Sequence, residues 1–163
     1  MAAIDTPVRI FQINLSDGGV PKLAVRQAEV RSQGIQGDRH RNMKVHGGPE
    51  RAVCLYSLER IQQLQAEGHP VFPGALGENV TVSGLDWSAV QPGARLQLGP
   101  QVVLEVTRYT TPCNNLVDSF VEGDFSRILQ EKYPGWARVY TRVIQEGTIQ
   151  TGDRVVFIPA REN

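Results

Sequence analysis

The chain of 163 residues holds only two cysteines, Cys54 and Cys113, and only three lysines. Two thiols are too few for the disulfide framework of a small secreted scaffold, and they cannot supply the four ligands of a cysteine-held iron–sulfur cluster. No G-x-G-x-x-G follows a strand-like run, so the fingerprint of a dinucleotide site is missing as well. Any redox chemistry done here takes its electrons from another molecule. No stretch approaches the roughly 18 apolar residues of a membrane span, and the opening "MAAIDTPVRIFQINLS" is broken by polar and charged side chains. The expectation is a cytoplasmic protein with free thiols and no membrane partner. Net charge is missing too: Lys plus Arg and Asp plus Glu are both 17. Nothing global then favours a nucleic acid polymer, and any anion site has to be local.

Short runs of β-branched and alternating apolar residues recur throughout: "VRIFQINL", "LAVRQAEV", "RAVCLYS", "NVTV", "RLQLG", "VVLEVTR", "RVYTRVI" and "RVVFI". Gly and Pro turns such as "DGGVP", "QPGA" and "TGD" separate them, drawn from 16 Gly and 10 Pro. Closely spaced strands with such turns predict a mainly β fold, a closed or partly closed barrel-like domain, with few helices. One helix is predicted over Ser57 to Ala66, with Ser57 as cap, Glu59 in the first turn and Leu58, Ile61 and Leu64 on its inner face. A second is predicted over Phe125 to Tyr133, closing one end of the barrel. No linker or low-complexity tract divides the chain, and 40% hydrophobic content suits one domain over residues 1–163.

The segment "GIQGDRHRNMKVHGGPERAV", Gly34 to Val53, gathers glycines, basic residues and two histidines. From Gly37 to Arg51 it carries four basic residues (Arg39, Arg41, Lys44, Arg51) against two acids, Asp38 and Glu50. Gly47 and Gly48 leave backbone N–H groups open, and arginine adds forked donors, which suits a phosphate or carboxylate. Taken alone, the same loop reads first as a solvated, Gly-rich hairpin connection. His40 and His46 lack the spacing of a helical zinc site, although a zinc site shared with a cysteine is an alternative.

Cys54 lies in the apolar "RAVCLYS" and reads as a small buried hydrophobe. Cys113 follows Pro112 in the polar loop "TTPCNNL", with Arg108 at the end of the preceding strand. That setting leaves its thiol open to metal or electrophile chemistry, or to a purely structural role. In "PGALGENVTVSGLDW", Glu78, Asn79 and Thr81 can hydrogen-bond but form no nucleophile–base pair. No Ser–His–Asp order or paired-carboxylate arrangement stands out elsewhere.

In order and spacing, "GIQGDRH", "HGGPERAV", "LGENVTVSGLDW", "GARLQLG" and "LEVTRYTTPCNNL" resemble the MOSC domain, a family named after the C-terminal domain of molybdenum cofactor sulfurase. The likeness runs from about Gly34 to about Leu116 and is closest to the small stand-alone bacterial type. It implies a mainly β, barrel-like domain that binds the molybdenum–molybdopterin cofactor, with Cys113 of the "PC" motif as protein ligand to the metal. A thiolate is a soft anionic ligand suited to a sulfur-coordinated metal. The pterin's phosphate then points to the basic loop, with Arg39, Lys44, Gly47, Gly48 and Arg51 as candidate contacts and Arg108 beside them. Asn79 and Thr81 are candidate donors to the pterin or a substrate, and His40 and His46 join Cys113 as catalytic candidates that deliver protons.

Relatives of this type are associated with reducing N-hydroxylated compounds, of the hydroxylaminopurine or amidoxime kind. The resemblance therefore implies a molybdenum-dependent oxidoreductase with a small N-hydroxylated substrate and a separate electron-donor reductase. The alternative is a non-catalytic carrier of the cofactor, or of a sulfur atom on Cys113. Lys22, Lys44 and Lys132 stand in no Schiff-base context, so pyridoxal phosphate is not expected.

Overall fold

The computed structural model describes residues 7–39 and 48–161. Eleven strands carry the fold: β1 (Arg9–Leu15), β2 (Leu23–Val25), β3 (Gln27–Arg31), β4 (Gly34–Ile35), β5 (Val53–Ser57), β6 (Val80–Ser83), β7 (Arg95–Leu98), β8 (Val102–Tyr109), β9 (Val139–Gln145), β10 (Gly147–Gln150) and β11 (Val155–Ile158). Eight form one sheet in the order β11-β7-β8-β9-β5-β6-β1-β2, and β10-β3-β4 form a second. The mainly β expectation holds, and the barrel is partly closed. The far edge, β11, returns to β1 through an isolated Arg9–Arg154 bridge, with Ile10 N donating to Asp153 O at 2.8 Å and Val155 N to Val8 O at 2.9 Å. That seam is a few bonds and no continuous ladder.

Alternation places the apolar side of each strand inward. Leu96 and Leu98, Val102, Leu104 and Val106, and Ile10 and Ile13 are all buried in one core. β5 is different, buried at all five positions, because it lies mid-sheet and is covered on both faces. It pairs with β6 in parallel. A parallel neighbour needs a crossover, and the crossover here is α1 (Leu58–Ala66) with the segment that follows. Ser57 caps α1 as expected, its hydroxyl accepting from Arg60 N at 3.1 Å, and Ile61 and Leu64 face the core.

The second expected helix is absent. Phe125–Ile128 makes a single 3-10 turn, after which Leu129 is extended. The Arg127 side chain explains the departure: it forks onto Glu67 at 2.8 Å and stacks on Trp136 at 3.9 Å and Tyr133 at 4.5 Å. Those tertiary contacts override the weak local preference for helix.

The β8–β9 ladder contains two irregularities. One lies between Val103 and Leu104, the other between Val106 and Arg108, where Thr107 is the extra residue on β8. The Thr107 hydroxyl donates to Glu50 O at 2.6 Å, which ties the end of the basic loop to the sheet. Past the second bulge the strands continue in register until Thr110 N donates to Arg138 O at 2.9 Å.

Candidate functional site

At the loop end of β8 and β9 the molecule opens into a cleft. Its floor is β5 and β9, where Cys54 stands opposite Tyr140 in the ladder. One wall is the crossover segment at Leu76, Gly77 and Asn79, and the other is the "TTPCNNL" loop at Thr111, Cys113, Asn115 and Leu116. Gly19, Val20 and Lys22, from the β1–β2 connection, and Arg39 complete the rim.

Cys113 is a partly exposed free thiol at the start of a 3-10 turn, Asn114–Ser119, and its carbonyl accepts from Leu116 N at 3.0 Å. Cys54 is also free but buried, with its sulfur 3.9 Å from the Thr110 hydroxyl. Burial pushes the Cys54 thiol up from its ordinary range, against the pull of the nearby Arg138 charge. The accessible thiol of this cleft is Cys113.

Arg138, which the sequence reading did not single out, lies in the cleft wall with only 6% of its surface exposed. Its Nη1 donates to Leu76 O at 2.5 Å, but its Nε is buried with no hydrogen-bond partner. No carboxylate among the described residues forms an ion pair with it. Gly77 stands beside it at φ +83°, where a Cβ would sit 3.2 Å from Val20 Cγ1 and 3.9 Å from Arg138 Nη1. Glycine fits both the backbone and the space. In sequence, Arg138 is merely the first residue of "RVYTRVI", and strand periodicity carries no signal of a buried charge.

Tyr140 brings its phenol to the same place. Its pKa is pushed up to about 12, first by burial, with the Cys54 and Cys113 thiols adding to the rise and the Arg138 and Arg51 charges opposing it. The phenol therefore stays protonated at neutral pH. Arg51 does not line the cleft; its guanidinium lies 5.9 Å from the Tyr140 ring centre, on the face of the ring.

The remaining expected residues scatter. Arg39 reaches the cleft rim, exposed and paired with Asp17 at 3.2 Å. Asn79 lines the cleft, but its amide is committed: Oδ1 accepts from Cys54 N at 3.0 Å and Nδ2 donates to Asp38 Oδ2 at 2.8 Å. Thr81 is fully buried outside the cleft, bonded to Glu78 and Asn14. Arg108 is exposed on β8 and does not line the cleft, and Gly48 sits at φ +85° ahead of a short turn, also outside it. His40, Lys44, His46 and Gly47 lie outside the described residues.

Beneath the rim, Asp38 and Lys22 form a buried ion pair. Lys22 Nζ approaches the two Asp38 oxygens at 2.7 and 2.8 Å, and Asp38 also accepts from Ser16 N at 2.9 Å. Together with Asn79 this network fastens the β1–β2 connection, the β4 exit and the crossover to one another. Gly74 allows the join: at φ +93° its Cβ would meet Lys22 O at 2.3 Å.

The chain with this cleft and this incompletely closed β-barrel belongs to a known family: the MOSC domain model matches residues 42–156. Among known proteins the chain is similar to YflK of Bacillus subtilis (strain 168), 31% identical over 131 residues, covering 80% of this chain and 58% of YflK. It is 31% identical over 101 residues to YiiM of Escherichia coli (strain K12), covering 60% of this chain and 45% of that one. A protein of Gibberella moniliformis named "Reductase" is 32% identical over 130 residues, 77% of this chain but 22% of its own length. The chain thus spans about half the length of the first two relatives. Among solved structures, YiiM of Geobacillus stearothermophilus superposes with a TM-score of 0.73 at 26% identity, covering 93% of this chain and 75% of that one. YuaD of Bacillus subtilis, at 19% identity, shares the fold, with a TM-score of 0.72 and coverage of 96% and 98%. No helix among the described residues is long and apolar enough to cross a membrane.

Proposed function

We propose that this chain holds the molybdenum–molybdopterin cofactor in the Cys113 cleft and there reduces small N-hydroxylated compounds, with electrons from a separate reductase. The observation that carries the reading is the pairing of donors: a soft, partly exposed thiol faces the same cleft as a buried guanidinium with an unpaired N–H. A sulfur-coordinated metal with an anionic phosphate calls for both. The family membership and the relative named "Reductase" support the same direction.

When bound, the cofactor supplies two-electron oxygen-transfer chemistry. The chain's own residues position and shield it. Cys113 offers the protein sulfur, held by the turn that Pro112 introduces. Tyr140 keeps a protonated hydroxyl in the cleft, and the Lys22–Asp38–Asn79 network fixes the walls. His40 and His46 are the proposed proton donors.

The test is metal content and turnover. Protein made in cells competent in molybdopterin synthesis is expected to carry molybdenum, and Cys113→Ser to lose it while folded. With reduced viologen, the loaded protein should turn over hydroxylaminopurine or an amidoxime, and with NADH alone it should not. Equal molybdenum in wild type and Cys113→Ser refutes the ligand role. Loaded protein that reduces none of the substrates but passes its cofactor to an apo-molybdoenzyme is a carrier.

A further inference from the structure

A guanidinium stays ionised at every physiological pH, so a buried one needs a counter-charge. Among the described residues no carboxylate pairs with Arg138 directly, although buried Glu78 lies close enough to feel its charge. The other two cations of the cleft are already engaged, Lys22 with Asp38 and Arg39 with Asp17. Glu78 is buried nearby but turns its Oε2 to the Thr81 hydroxyl and makes no ion pair with Arg138.

We infer that Arg138 is the oxyanion anchor of the cleft, a site for the phosphate group of a phosphate monoester. The inference rests on the cofactor reading for the identity of that ester, and assigns its phosphate to Arg138 where the sequence had pointed to the basic loop. Nη1 is pinned to Leu76 O, which fixes the plane of the fork and leaves the buried Nε facing no protein acceptor. Gly77 leaves space beside the guanidinium, where a Cβ would stand 3.9 Å from Nη1. A pre-oriented arginine suits a phosphate better than a flexible lysine does, because two parallel N–H donors match two of its oxygens. The thiol of Cys113 across the same cleft then sets the other end of the ligand.

The anchor is testable on the apo protein. Inorganic phosphate and phenyl phosphate are titrated at matched ionic strength against chloride and benzoate, following the melting temperature and the arginine Nε–H signals in a proton–nitrogen NMR spectrum. The expected result is a saturable rise in melting temperature with both phosphates. One Nε–H signal, assigned by its absence in Arg138→Met or Arg138→Lys, should shift in step. Arg138→Met should bind at least tenfold more weakly while melting no lower than wild type in chloride; Arg39→Gln should still respond.

No shift of the Arg138 signal in wild type overturns the anchor even if Arg138→Met fails to fold. Loss of response in Arg39→Gln with retention in Arg138→Met returns the site to the loop, and an equal response to benzoate removes the phosphate assignment. Molybdenum on Cys113 without a phosphate response refutes the anchor alone, and a phosphate response without molybdenum refutes the cofactor reading alone.

Discussion

Replacing Asp38 by alanine tests the claim that the cleft's walls hang on one buried network. The Asp38 side chain is 2% exposed, and its carboxylate accepts from Lys22 Nζ, Ser16 N and Asn79 Nδ2. Asp38→Ala leaves a lysine ammonium buried at 6% exposure without its partner and frees two further donors. Breaking a buried pair from one side costs about 3 to 5 kcal/mol. At about 2 to 4 °C per kcal/mol for a chain of this size, the melting temperature should fall by roughly 6 to 20 °C. Asp38→Ala with Lys22→Met removes the stranded charge and should recover at least half the loss, so that the double variant loses far less than the sum of the two single variants in a double-mutant cycle. Urea titration of the four proteins provides the measurement. A loss below about 1 kcal/mol for Asp38→Ala, or strict additivity in the cycle, would refute the reasoning.

Glu78 is fully buried, and desolvation raises its pKa above the ordinary carboxylate range, so stability is fully present below that ordinary value and is lost as pH rises through the raised one. Glu78→Gln should flatten that decline in a pH series of urea midpoints; an unchanged slope would mean that Glu78 is not its source. Ser57→Ala removes the cap acceptor of Arg60 N and should cost about 1 kcal/mol by thermal denaturation. Cys54→Ser should cost about 1 to 3 kcal/mol by the same measurement, yet keep the molybdenum content of the wild type, because its thiol is buried.

Nine of the eleven strands were legible in eight apolar runs, "LAVRQAEV" holding both β2 and β3; β8, for one, buries Val102, Leu104 and Val106 as its alternation spells out. β10, "GTIQ", was not, since one buried residue, Ile149, carries its inner face. The two-residue β4 is too short to show a period. At the site, the thiols sorted correctly into one buried and one open, because local apolarity predicts burial. Arg138 escaped for the opposite reason. Its burial comes from Leu76 and Gly77, about 60 positions away, and no local pattern announces a charge that a distant crossover will cover. Asn79 and Thr81 look like free donors in sequence and become structural because β1 and β5 supply their partners.

The paired bulges in β8 and β9 amount to a phase correction. One extra residue on β9 near Ile144 is cancelled by one on β8 at Thr107, so the ladder enters the cleft in the phase with which it began. Cys113 lies three residues beyond the last rung, the bond from Thr110 N to Arg138 O. The spacing between thiol and guanidinium is therefore set by how many residues are spent in the strand as well as by the cleft's own side chains. A deletion at Thr107, well away from either group, would slip the rung by one and move the two ligand-facing groups out of step, with every residue of the cleft intact.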